Sequence, residues 1–157
     1  MFSVIIPLYN KAPYIEKAIR SVAAQTCQEF ELIVIDDGSQ DDPLPPKGGN
    51  GLQRLSFLEN CSEFSKKVRI VEQKNQGVSV TRNNGVELAK YDYISFLDAD
   101  DWWAPTYLEE MKALITQYPE AGIYGSSYFK VKSGKYIPAN IGVVAGFQNG
   151  LINYFQV

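Results

Sequence analysis

The run Phe96-Leu97-Asp98-Ala99-Asp100-Asp101 sets three carboxylates within four positions, directly after the apolar stretch YISF. Like charges so close repel and raise each other's pKa unless positive charge lies between them. That charge must come from elsewhere in the chain or from a ligand. If the backbone stays extended, Asp98 and Asp100 point the same way. Two hard oxygen donors there could hold a divalent cation, with diphosphate oxygens and water filling its other positions. The same residues also suit a polar loop leading into a helix, because Asp is favoured near helix N-termini. Asp101, just before Pro105, could do that job.

Three further residues could serve a ligand. Asp36-Asp37-Gly38-Ser39 is a common turn sequence. A carboxylate there could also accept from a base N–H or from ribose hydroxyls. Tyr9, in PLYN, could stack on a flat base or cover the core as a rim aromatic. Arg82, in QGVSVTRNNG, could pair with phosphate oxygens or with one of the Asp residues.

Hydrophobic patterning places these residues on a frame. Phe2–Leu8, Glu31–Ile35, Val68–Glu72 and Tyr91–Leu97 read as strands. Helices are expected from Pro13 to about Gln25, over Gly77–Lys90, and from Pro105 onward, with a short one within Leu52–Lys66. The prolines and glycines of residues 41–51 predict a loop. Ala121–Tyr136 predicts a strand and hairpin turning at Ser133-Gly134, and the tail Ile137–Val157 is apolar and weakly patterned. Strands alternating with helices predict an α/β domain with a mostly parallel central sheet flanked by helices. In such sheets ligands gather beyond the carboxyl ends of the strands. PLYN, DDGS and DADD all fall at strand ends.

Composition narrows the function classes. The 157 residues suit a single domain, and 45% apolar residues can build a core. A net charge of −3 argues against general nucleic-acid binding. The chain has no histidine, which excludes Ser-His-Asp triads and His metal sites. Cys27 and Cys61 lack metal-ligand spacing and read as buried free thiols. The apolar start MFSVIIPLYNK is too short for a membrane span and lacks the basic start of a signal peptide. A cytoplasmic setting is therefore expected.

SVIIPLYN, ELIVIDDGSQD and NQGVSVTRNNGVELAKYDYISFLDADD, in that order, resemble family 2 glycosyltransferases of the GT-A fold over about residues 2–130. The resemblance implies a Rossmann-like GT-A domain and an inverting, nucleotide-sugar-dependent transferase. Tyr9 and Pro7 would line the nucleobase pocket, and Asp37 would bind the base. Arg82 would lie near the nucleotide. Asp98 would contact the ribose and metal region, and Asp100 would ligate Mg²⁺ or Mn²⁺. Partners implied are a nucleotide-sugar donor, most simply a UDP-sugar, and a glycan or lipid-linked acceptor. Peripheral association of a longer enzyme with the inner face of the membrane would follow.

The chain departs from that pattern in its long loop after DDGSQD and in lacking any Asp, Glu or His beyond Glu120. The general base is thus expected outside this chain, which would be the donor-binding part of a longer enzyme and a poor catalyst alone. Two rivals remain open from the residues: a non-catalytic nucleotide-binding module and a DxD phosphatase of haloacid-dehalogenase type. The motif order, DDGS before DADD, counts against the phosphatase. Asp37→Ala is expected to weaken nucleotide binding and leave unliganded stability nearly unchanged.

Overall fold

The computed structural model describes residues 1–41 and 62–139. The expected loop beyond residue 41, most of the Leu52–Lys66 helix, Cys61 and all but the first residues of the apolar tail lie outside them. The chain divides into two compact units, Met1–Leu108 and Glu109–Val157.

The first unit is built on four strands: β1 (Phe2–Leu8), β2 (Phe30–Asp36), β3 (Val68–Glu72) and β4 (Tyr93–Phe96). They pair in the order β3-β2-β1-β4, and every pairing is parallel. Helices α1 (Ala12–Ala23), α2 (Ser62–Ser65) and α3 (Val78–Leu88) connect them, and α4 (Tyr107–Gln117) begins as the unit ends. Both central strands are buried along their whole length. That is why they read as continuous apolar runs rather than alternating ones. Ile5, Ile33 and Ile35 form a core against which Val71, Leu88 and Ile94 pack. Helix α1 buries Ile15, Ala18, Ile19 and Val22 on one face, the spacing expected of an amphipathic helix.

At the amino ends of the strands a buried carboxylate ties four segments together. Glu31 accepts from Ser3 Oγ at 2.8 Å and from the Lys90 N–H at 2.6 Å, and it pairs with Arg69 at 3.4 Å. Burying this charge is tolerable because it is paired and hydrogen-bonded. The polar work at this end is structural, which leaves the carboxyl ends free for a ligand.

Helix α3 must lie close to β1, and Gly85 makes that approach. A Cβ at Gly85 would sit 2.5 Å from Ile5 Cγ2 and 3.1 Å from Ile5 Cδ1. Ile5 is fully buried and cannot move away. Gly85→Ala is therefore expected to destabilise by about 1–2 kcal/mol. Overpacking costs about 1–3 kcal/mol, and the better helix propensity of Ala returns up to about 1 kcal/mol. Denaturant unfolding measures this; an unchanged or raised midpoint would show that α3 shifts freely.

The second unit holds the hairpin of β5 (Phe129–Lys132) and β6 (Lys135–Pro138). Its turn is the expected Ser133-Gly134, with φ values of 50° and 74°, as a two-residue hairpin turn requires. The strand expected from Ala121 is shorter, because residues 121–128 form no strand. Expected and observed bounds also differ at β4, which starts at Tyr93 after a bend, and at α4, which starts at Tyr107 after a turn. No described helix is long and apolar enough to cross a membrane. Cys27 is a free thiol, as expected, but half-buried rather than buried.

Candidate functional site

The chain runs from β1 through α1 to β2 on one side, whereas β4 returns to the other side of β1. Such a reversal leaves a crevice at the carboxyl ends of the two strands, because their connections leave toward opposite faces. Tyr9 follows β1 there, Asp37 follows β2 and Asp98 follows β4.

Asp37 is buried, 3% exposed, and held on several sides. Its Oδ1 accepts from Gln73 Nε2 at 2.8 Å and from the Gln76 N–H at 2.9 Å. Its Oδ2 accepts from the Gly77 N–H at 2.9 Å. Burial pushes the Asp37 carboxyl up, but donors from Gln73, Gln76, Gly77 and Thr81 outweigh it and hold the carboxyl below its ordinary value. Gly38 makes the tight passage possible: its φ is +74°, and a Cβ there would meet the Asn75 nitrogen at 3.1 Å. Asp37 therefore anchors the 73–77 segment. Its partners belong to the chain itself, so the geometry argues against the expectation that removing it would spare unliganded stability. Asp36 turns back to accept the Ser39 N–H at 2.8 Å, closing the turn.

The aspartates after β4 do not continue an extended strand. The Asp101 N–H donates to the Asp98 carbonyl at 3.0 Å, so the backbone turns between them. The shared direction expected of Asp98 and Asp100 thus cannot come from strand alternation. Both nevertheless line one cavity, and each meets a cation from elsewhere. Arg82 Nη2 lies 2.7 Å from Asp98 Oδ1, and Lys11 Nζ lies 2.6 Å from Asp100 Oδ2. The Lys11 hydrogen bond holds the Asp100 carboxyl below its ordinary value. Burial, then the charges of Asp100 and Asp98, push Asp101 up. The positive charge demanded by the sequence is supplied within the chain in this state.

A cavity of about 430 Å³ opens at this crevice, within the range of small-molecule sites. Pro7, Tyr9, Asp37, Arg82, Asp98 and Asp100 all line it. Sequence reasoning missed Lys11, Asn75 and Thr81, which also line it. The need for a cation beside the aspartates was the available signal for Lys11. Among the described residues the buried Arg82 Nε has no hydrogen-bond partner, although the guanidinium rim reaches the cavity. A buried donor without a partner is costly.

Among the described residues no three His, Cys, Asp or Glu side chains gather as a metal cage. Asp98 and Asp100 provide two hard oxygen donors on exposed carboxylates. That donor set fits Mg²⁺ or Mn²⁺ completing its shell with ligand oxygens and water.

The family model described as Glycosyl transferase family 2 matches residues 3–154. The chain belongs to glycosyltransferase family 2. Glycosyltransferase GlyA of Streptococcus pneumoniae is 33% identical over 130 residues, 81% of this chain and 16% of GlyA. Among solved structures, S. aureus TarS in complex with UDP-GlcNAc is 26% identical with a TM-score of 0.64, covering 88% of this chain and 37% of TarS. The mannosyltransferase PcManGT from Pyrobaculum calidifontis, in complex with GDP-Man and Mn²⁺, shares the fold at 22% identity and TM-score 0.60 over 73% of this chain and 32% of that one. The family 2 chain is thus an α/β domain of GT-A type, as expected from its motifs. It spans less than half the length of these relatives. Family membership also removes the phosphatase reading.

Proposed function

We propose that this family 2 domain binds a nucleotide-diphosphate sugar, with UDP as the nucleotide, and serves inverting transfer of the sugar to a hydroxyl of a glycan or lipid-linked acceptor. The observation that carries this is the cavity itself. Residues from three strand ends and α3, distant in sequence, line one space that holds three carboxylates and the Arg82 guanidinium. TarS, bound to UDP-GlcNAc, supports the choice of UDP.

In this reading Tyr9 and Pro7 flank the base, and Tyr9 is exposed enough to stack on it. Asp37 shapes the base pocket through the 73–77 segment and offers its remaining acceptor capacity to a base N–H. Arg82 turns its guanidinium to the diphosphate, where a planar fork suits paired oxygens. A Mg²⁺ or Mn²⁺ ion, when held by Asp98 and Asp100, would neutralise charge developing on the leaving diphosphate. The acceptor oxygen bonds to the anomeric carbon as the carbon–oxygen bond to the diphosphate breaks, and its proton passes to a general base. None of Pro7, Tyr9, Asp37, Arg82, Asp98 and Asp100 is assigned that role.

Titration calorimetry with UDP, with and without Mn²⁺, tests the reading. Metal-dependent UDP binding is expected, and no binding under either condition would sink it. Asp100→Asn should weaken UDP affinity in Mn²⁺ roughly tenfold, the size of one charge-assisted contact, with little change in Tm, since its carboxylate is 42% exposed. Equal affinity in the two proteins at saturating Mn²⁺ would remove Asp100 from the metal site.

A further inference from the structure

We propose that Lys11 is a built-in counter-ion that occupies the cation's place on Asp100 until a divalent ion displaces it. This rests on the reading of Asp98 and Asp100 as metal-holding residues.

The pair is placed by the fold rather than by neighbouring sequence. Lys11 lies in the loop between β1 and α1, Asp100 in the turn after β4, and their charged atoms are 2.6 Å apart. The backbone around Lys11 is pinned on both sides. Asn10 is held in a left-handed conformation with φ 50°. Its N–H donates to Ser39 Oγ at 3.1 Å, its Oδ1 accepts the Gln40 N–H at 2.8 Å, and the Ala12 N–H donates to Asp41 Oδ2 at 2.9 Å. The ammonium is thus delivered to the cavity from a fixed base on a flexible stem.

The two cations of the cavity are not equivalent. Arg82 is anchored, with its Nε buried and its guanidinium 5.7 Å from the Phe96 ring. Lys11 is 40% exposed, and the Tyr14 ring lies 5.9 Å from its Nζ; a lysine side chain has a flexible four-carbon stem. An ammonium is a compact point charge without a fixed fork. It can leave one carboxylate oxygen without breaking a bidentate geometry. A divalent ion and Lys11 cannot both sit against Asp100 Oδ2, since like charges at that spacing repel strongly. Cation entry and Lys11 departure are therefore one exchange, and the ion must outcompete an intramolecular partner.

The test measures Mn²⁺ alone, without nucleotide, by the electron paramagnetic resonance signal of the free ion at low ionic strength. Lys11→Met should bind Mn²⁺ about two- to fivefold more tightly than wild type, the range set by an exposed ion pair. The gain should shrink as salt screens the charge. Lys11→Arg keeps the charge and should stay near wild type. Asp100→Asn should lose most of the binding. If Asp100→Asn loses Mn²⁺ while Lys11→Met binds it no better than wild type, the counter-ion role is overturned and the metal reading stands. Arg and Met variants that behave alike would also overturn it, because charge would not be the cause. If Asp100→Asn binds like wild type, both the metal reading and the Lys11 inference fall.

Discussion

Asp37→Ala is expected to lower the stability of the unliganded protein by about 2–4 kcal/mol, and its Tm by roughly 6–12 °C. The carboxylate is 3% exposed and accepts from Gln73, Gln76 and Gly77. Its removal strands two backbone N–H groups and a side-chain amide where water enters poorly, and such a loss costs more than the net worth of any one bond. Asp37→Asn is not a neutral control. All three partners are donors, and the new amide would turn an N–H toward one of them. It should destabilise as well, by less. Calorimetric unfolding without ligand settles the matter, and an unchanged Tm would mean that the 73–77 segment holds itself.

The same clamp gives a pH dependence of known sign. The folded Asp37 carboxyl lies below its ordinary value. Its contribution is therefore complete above the unfolded value, about 4, and fades as pH falls through the folded one. Wild type should lose stability on the acid side faster than Asp37→Asn, which has nothing to protonate there. Unfolding midpoints from pH 6 downward measure the difference.

The second large effect is on binding. Arg82→Met should weaken UDP affinity about 10- to 100-fold in the presence of Mn²⁺, the value of one strong charge-assisted contact. Arg82→Lys should recover only part, because an ammonium keeps the charge and loses the fork. Folding should change little: the Arg82–Asp98 pair is 37% and 50% exposed, and exposed pairs contribute little. Isothermal titration with UDP distinguishes this from the alternative already present in the sequence. If Arg82→Met binds UDP as wild type does, Arg82 serves only as the counter-ion of Asp98.

The sequence was most legible where structure is local. β1 falls on the expected residues because a β-branched apolar run buried along its whole length has few alternatives, and β3, a half-buried edge strand, does so through its β-branched residues. The hairpin turn was legible because Ser133-Gly134 satisfies a backbone demand within two residues. Bounds slipped where a terminal residue could go either way, as at Tyr91 and Pro105. Tyr9, Asp37, Asp98 and Asp100 were legible as strand-end residues, whereas Pro7 came from the family resemblance and Arg82 from its charge and that resemblance; all six line one cavity. What each acid touches did not. Asp37 meets Gln73 across the loop and β3, and Asp100 meets Lys11 across most of the unit. No local pattern encodes such a partner, and the turn at Asp98–Asp101 undid the one local argument offered.

The strand order has a consequence for how the protein is made. β1 precedes β2 and β4 in the chain and lies between them in the sheet, with β2 along one of its edges and β4 along the other. Phe2 pairs with Phe30 and with Tyr93. One edge can close early, whereas the other waits for roughly ninety more residues, on the order of ten seconds of synthesis. During that time a largely apolar strand shows an open edge, the condition under which nascent chains recruit chaperones or each other. The piece that ends the exposure is the segment that carries Asp98. The cavity and the covering of the open edge of β1 are therefore completed by the same event.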